Sequence, residues 1–162
     1  MFDSRKVGFE NQAGYNSVLD LSFGIHSSLD GIPSYRAVFF NNEGPATDGE
    51  TITDNNSVGY AGTPGATTVA AGIVKDGSSS DAYSDLNLLP GINNDLNVTV
   101  TILGTMYLEV APGETIALGS TVNVDSQGRA AAAGDATPFV AMNAATGNGS
   151  ATNPEYLVVL VR

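Results

Sequence analysis

The chain has 162 residues, with 17 acids against 6 bases for a formal charge of −11, one histidine, and neither cysteine nor tryptophan. That length suits a single domain, which can bury roughly 70 % of its unfolded surface without help from a metal or a disulfide. The lack of cysteine excludes disulfides, thiolate nucleophiles and sulfur-ligated zinc. The acidic balance argues against general binding to nucleic acid or to an anionic membrane, since both need cations.

The acids are scattered rather than clustered, which reads as a solvated surface that keeps free copies soluble and apart. Met1 to Lys6 is not followed by an apolar stretch of signal-peptide length, because Glu10, Asn11 and Gln12 interrupt it. No segment approaches the roughly 18 apolar residues of a membrane span, so synthesis in a cytoplasm is expected. Glycine, alanine, serine, threonine and asparagine dominate, while the helix formers are scarce. That mix predicts an all-β chain of short strands and many turns.

The first forty residues differ from the rest. Phe2, Phe9, Tyr15, Phe23, Tyr35, Phe39 and Phe40 are seven of the twelve aromatic residues, on a segment of poor periodicity punctuated by glycine. Aromatics without a strand or helix pattern suggest an extended arm over residues 1–35, packing on its own domain or on a neighbouring subunit. A β domain, a small barrel or sandwich, is then expected over residues 36–162. Arg36 to Phe40 reads as its first strand. The polar stretch from Asn41 to Gly65 reads as one long loop, of a kind that usually has a task or is disordered. Ala66 to Val74 reads as a strand, and Asp81 to Leu89 as a short helix ended by Pro90-Gly91.

From Asn97 the pattern sharpens. Val98, Val100 and Ile102 alternate with polar residues, as a half-buried strand does. Gly104 interrupts, and Thr105 to Val110 resumes. Thr121 to Val124 alternates again, and Asp125-Ser126-Gln127-Gly128 is a tight connection with Gly128 placed for positive φ. Pro138 to Met142 is a further strand. Glu155 to Val161 is apolar on both faces, which predicts cover from its own core on one side and from another layer or subunit on the other.

Few motifs carry chemistry. His26 stands beside Ser27, Ser28 and Asp30, but triad members converge from separate elements, so a surface or interface histidine is the better reading. No nucleophile elbow is present. Asp125 to Gly128 and Asp76-Gly77-Ser78 have acids of a calcium-loop kind without the ligand set such a loop needs. Asp48, Glu50 and Asp54 lie close enough in sequence to gather around a cation, yet turn chemistry accounts for all these acids more simply. Gly59 to Gly65 is glycine-rich but lacks the lysine of a phosphate loop, and reads as a flexible surface loop. No catalytic residue, cofactor or metal is assigned.

The order of strands and turns from Thr101-Ile102-Leu103-Gly104-Thr105, through Ala111-Pro112-Gly113-Glu114 and Gly119-Ser120-Thr121-Val122, to Phe139-Val140-Ala141 and Tyr156 to Val161 resembles the head cement (decoration) proteins of tailed bacteriophages. The resemblance covers about the last 65 residues. It implies a non-catalytic β-barrel protein on the outer capsid surface of the virion, binding where major capsid protein subunits meet and stabilising the head. It also implies a homo-oligomer, a trimer first and a dimer second. In that setting the aromatic-rich segment supplies the anchors, because interface hot spots favour tyrosine, tryptophan and arginine. The candidates are Phe2, Arg5, Phe9, Tyr15, Tyr35 and Arg36. Two rivals stand beside this reading. One is a carbohydrate- or receptor-binding β-module using the 41–65 loop for recognition; the other is a hydrolase with an acid pair.

Overall fold

The computed structural model describes residues 16–26, 29, 31–41, 57–77 and 97–162. Among them there is no helix, and the chain is all-β, as its composition predicts. Five strands close a barrel: β1 (Asn16–Ile25), β2 (Ala37–Asn41), β3 (Ser57–Gly59), β4 (Ala66–Asp76) and β5 (Asn97–Glu109). Hydrogen bonding runs round the ring from β1 through β3, β2, β4 and β5 back to β1. The β1–β3 pair is parallel and the rest are antiparallel, so the barrel is mixed.

β5 does not stop at the barrel. It pairs with β4 at Thr99 to Thr101 and then with β11 (Tyr156–Val161) from Gly104 to Glu109. From β11 the sheet continues through β9 (Asp135–Ala141) and β7 (Thr121–Val124) to β8 (Ala130–Ala131). A separate two-stranded sheet joins β6 (Thr115–Ile116) to β10 (Ala145–Thr146).

Two hydrophobic cores result. The barrel core contains Phe23, Ile25, Val38, Val58, Val74 and Val100. The second contains Phe39, Ile73, Met106, Leu108, Phe139 and Leu157, and so lies between barrel strands and the sheet that extends from them. β2 serves both, with Val38 in the first and Ala37 and Phe39 in the second, which is the alternation of a strand buried on two faces. Full burial of a side chain such as Phe39 contributes about 1.5–3 kcal/mol.

Several expectations change. Residues 16–25, without visible periodicity, form a strand of the barrel wall, with register shifts between Ser17 and Leu19 and between Leu19 and Asp20. Each bulge displaces the side-chain alternation by one residue, which is why the sequence looks aperiodic there. The polar stretch after Asn41 is not one uninterrupted loop, because residues 57–59 form β3, and 60–66 make two successive turns through Thr63 N–H to Tyr60 O and Ala66 N–H to Thr63 O. Gly104 interrupts nothing; with φ 126° it lies inside one thirteen-residue strand. His26, read as a surface or interface histidine, is 5 % exposed within the chain, with its backbone N–H donating to Val58 O. The helix read at 81–89 lies outside the described residues.

On the barrel exterior a small polar network ties three strands. Lys75 Nζ donates to Asp20 Oδ2 at 2.8 Å, Thr101 Oγ1 donates to Asp20 Oδ1 at 2.8 Å, and Ser17 Oγ donates to Asp20 Oδ2 at 3.0 Å. Burial pushes the Asp20 carboxyl up, but these hydrogen bonds and the Lys75 charge outweigh it and hold the group below the ordinary aspartate range. A depressed folded pKa gives stability that is present above the unfolded value and is lost as pH falls through the folded one. Asp20→Asn is therefore expected to cost about 1–2 kcal/mol at neutral pH. The gap to wild type should narrow as pH falls below the ordinary aspartate value of 3.8, in urea titrations run as a pH series.

Candidate functional site

Two of the six candidate contact residues, Tyr35 and Arg36, lie at the entry to β2; Phe2, Arg5, Phe9 and Tyr15 fall outside the described residues. The backbone at 35–37 is held from three sides. Tyr35 N–H donates to Val74 O and Tyr35 O accepts from Glu109 N–H, while Val74 N–H donates to Arg36 O and Ala37 N–H donates to Gly128 O. Tyr35 has φ 67°, the sole non-glycine residue at positive φ among those described. That conformation costs an L-residue about 1–2 kcal/mol and persists because the surrounding bonds over-determine it.

The strained backbone carries the Tyr35 ring into a cluster. Its centroid lies 5.1 Å from Tyr156 and 5.9 Å from Tyr107, both edge-on, and Tyr107 and Tyr156 stand 6.1 Å apart. Strand pairing aligns the latter two, since Tyr156 is opposite Glu109 and Val158 opposite Tyr107. Edge-to-face aromatic pairs of this kind contribute about 0.5–1.5 kcal/mol each beyond the area they bury.

Beside the cluster is a cleft of about 220 Å³, lined in part by Arg36, Glu109, Arg129, Pro112, Asn148 and Pro154. Arg36 Nη2 donates to Glu109 Oε2 at 2.7 Å and Nη1 to Gln127 O at 3.4 Å, while Nε is buried without an acceptor. Arg129 Nε and Nη2 both lie 2.8 Å from Asp125 Oδ2. Asp125 Oδ1 accepts from Gln127 N–H and Arg129 N–H, so its carboxylate is taken up by its own turn and by Arg129. Gly128 closes that turn at φ 71°, as its place in the sequence predicts. Tyr60 is nearby: burial pushes its hydroxyl above the ordinary tyrosine range, with Arg36 pulling down and Asp125 and Glu109 pushing up.

Each arginine here is matched by a carboxylate, and the surface beside them is aromatic. This arrangement suits contact with another molecule through ring edges and arginine better than it suits moving a proton. Among the described residues no three histidine or acidic side chains gather as metal ligands; Asp48, Glu50 and Asp54 lie outside them. Sequence reasoning missed Tyr107, Tyr156, Glu109 and Arg129 as members of this corner. Tyr107 and Tyr156 were visible as two of the three aromatics after residue 97, but their meeting with Tyr35 depends on long-range pairing.

With this geometry in view, the chain is similar to the crystal structure of the head fiber gp8.5 N base in bacteriophage phi29. The TM-score is 0.50 and the sequence identity 13 %, over 89 % of this chain and 93 % of that one. At that identity the likeness is one of fold. No protein-family model matches the chain, and no curated protein matches it.

The corner makes two stability predictions. A Cβ on Gly128 would lie 2.3 Å from Ala37 O, on a backbone already at positive φ. Gly128→Ala is expected to destabilise by more than about 2 kcal/mol in chemical denaturation. Tyr35→Gly and Tyr35→Ala both lose the ring, but glycine relieves the left-handed backbone. The glycine variant should be the more stable of the two by about 0.5–1 kcal/mol, and equal midpoints would show that φ at residue 35 stores no strain.

Proposed function

We propose that this protein is a structural, non-catalytic component of a tailed-bacteriophage head. It is made in the host cytoplasm and attached to the outer capsid surface of the virion. There, acting as a homo-oligomer, a trimer first and a dimer second, it bridges subunits of the major capsid protein and stabilises the shell. The observation that carries this reading is the fold likeness to a phage head fiber base, which extends over nearly all of both chains. The resemblance of residues 101–161 to head cement proteins supports it separately, since it rests on the order of strands and turns in the sequence.

The physical logic is that of multivalent clamping. A protein that bridges two shell subunits gains effective affinity without new contacts to either one. Because it binds the assembled shell and not the separated subunits, mass action stabilises assembly. A net charge of −11 keeps free copies soluble until they dock. The Tyr35–Tyr156–Arg36 corner is the contact site on the described part of the chain, and Phe2, Arg5, Phe9 and Tyr15 are the anchors on the segment before it.

The test is to mix purified protein with undecorated capsids and image them by cryo-electron microscopy. Extra density at regular symmetry positions, spanning adjacent capsid subunits, is expected. Tyr156→Ala should weaken capsid binding by about tenfold or more while the fold is retained. Bare capsids beside soluble protein at micromolar concentration would remove this reading for that shell.

A further inference from the structure

Asn148-Gly149 is the one Asn-Gly pair in the sequence, and both residues are exposed on the wall of the cleft beside the tyrosine cluster. The chain is anchored just before them, where Gly147 N–H donates to Glu114 O and Gly147 O accepts from Gly113 N–H. Just after them the Asn148 carboxamide holds the loop. Its Oδ1 accepts from Ser150 N–H at 2.9 Å, and its Nδ2 donates to Asn153 O at 3.0 Å. Gly149 N–H, by contrast, has no acceptor among the described residues. The space beside it is open, since a Cβ on Gly149 would meet only Pro112 Cβ, at 3.6 Å.

These are the conditions for attack by a backbone nitrogen on the side chain that precedes it. The nucleophile is Gly149 N, whose proton no other group in the described chain holds and which has no side chain beside it to obstruct the approach. The electrophile is Asn148 Cγ. Ser150 N–H already donates to the oxygen on that carbon, and so stands where negative charge develops as the carbon becomes tetrahedral. Both residues are open to the water and hydroxide that the reaction consumes.

We propose that Asn148 is a site of spontaneous deamidation, a covalent change in the wall of the cleft that needs no enzyme. Hydroxide takes the Gly149 amide proton, and the nitrogen bonds to Asn148 Cγ. The Cγ–Nδ2 bond breaks, and Nδ2 leaves as ammonia after taking a proton from water. The cyclic imide so formed adds water at either carbonyl and opens to aspartate or to isoaspartate. The change runs one way and adds a carboxylate to the cleft, where Arg36 and Arg129 otherwise stand with Glu109 as the charged lining residues. It also removes the donor to Asn153 O and sets a carboxylate against that carbonyl, so the 148–153 loop loses a tie. Isoaspartate further lengthens the main chain by a methylene at that point.

The test is to incubate the folded full chain in buffer, digest it with trypsin and follow the peptide from Ala130 to Arg162 by mass spectrometry. That peptide contains Asn143, Asn148 and Asn153, and fragmentation tells them apart. Its mass should rise by about one unit as an amide becomes an acid, with the change at residue 148 and both aspartate and isoaspartate present. The rate should rise severalfold from about pH 7 to about pH 8.5, because hydroxide removes the attacking proton. Asn148→Gln, whose longer side chain would have to close a larger ring, should keep its mass over the same period. The same chain unfolded in guanidinium chloride gives the rate without the loop, and the folded rate should lie within about fivefold of it. A folded chain slower than that would show that the loop guards Asn148 and would overturn the inference. So would a change at Asn143 or Asn153 in place of Asn148, a rate indifferent to pH, or an Asn148→Gln variant that gains mass as wild type does.

Discussion

The pairing of β5 with three other strands is the contact on which the rest of the structure depends. Its thirteen residues bond to β1 from Asn97 to Thr105, to β4 at Thr99 to Thr101, and to β11 from Gly104 to Glu109. The first two pairings close the barrel and the third begins the sheet outside it. Val98 and Val100 fill one core and Met106 and Leu108 the other, all from even-numbered positions of a single strand. Neither core is complete without it, so barrel and sheet are bound into one cooperative unit. Glu109 at its end receives Arg36, and Tyr107 receives Tyr35, so the candidate contact corner is also positioned by this strand.

The corner is rigid by construction. A strained tyrosine, a close approach of Gly128 to Ala37, and paired charges on either side all fix the entry to β2. Interfaces that bind by presenting preformed side chains avoid part of the ordering cost that flexible ones incur on association.

How much of this was legible in the sequence depended on the range of the forces involved. Thr121 to Val124 and Tyr156 to Val161 were readable because alternation or a continuous apolar run is a local signal. Gly128 was readable because a tight turn after Asp125 needs a residue that accepts positive φ. β1 was not, because its bulges break the period of two and its partners are a large part of the chain away. β3, with three residues, is too short to leave a pattern, and Gly104 was misread because a glycine inside a strand looks like the end of one. At the corner, Tyr35 and Arg36 were chosen for their residue types alone. Nothing local indicates that the rings of Tyr107 and Tyr156 meet Tyr35, or that Glu109 answers Arg36.

Closure of the barrel has a consequence for how copies of this chain can grow together. The ring closes at strand ends: β1 pairs with β3 only at Gly24 and Ile25, so among the described residues its remaining length, from Asn16 to Phe23, has a strand partner on the β5 side alone. That stretch contains both register shifts of β1, between Ser17 and Leu19 and between Leu19 and Asp20, and bulges of this kind twist an edge away from flat pairing with another chain's backbone. An edge broken in this way is a poor template for carrying one copy's sheet into the next.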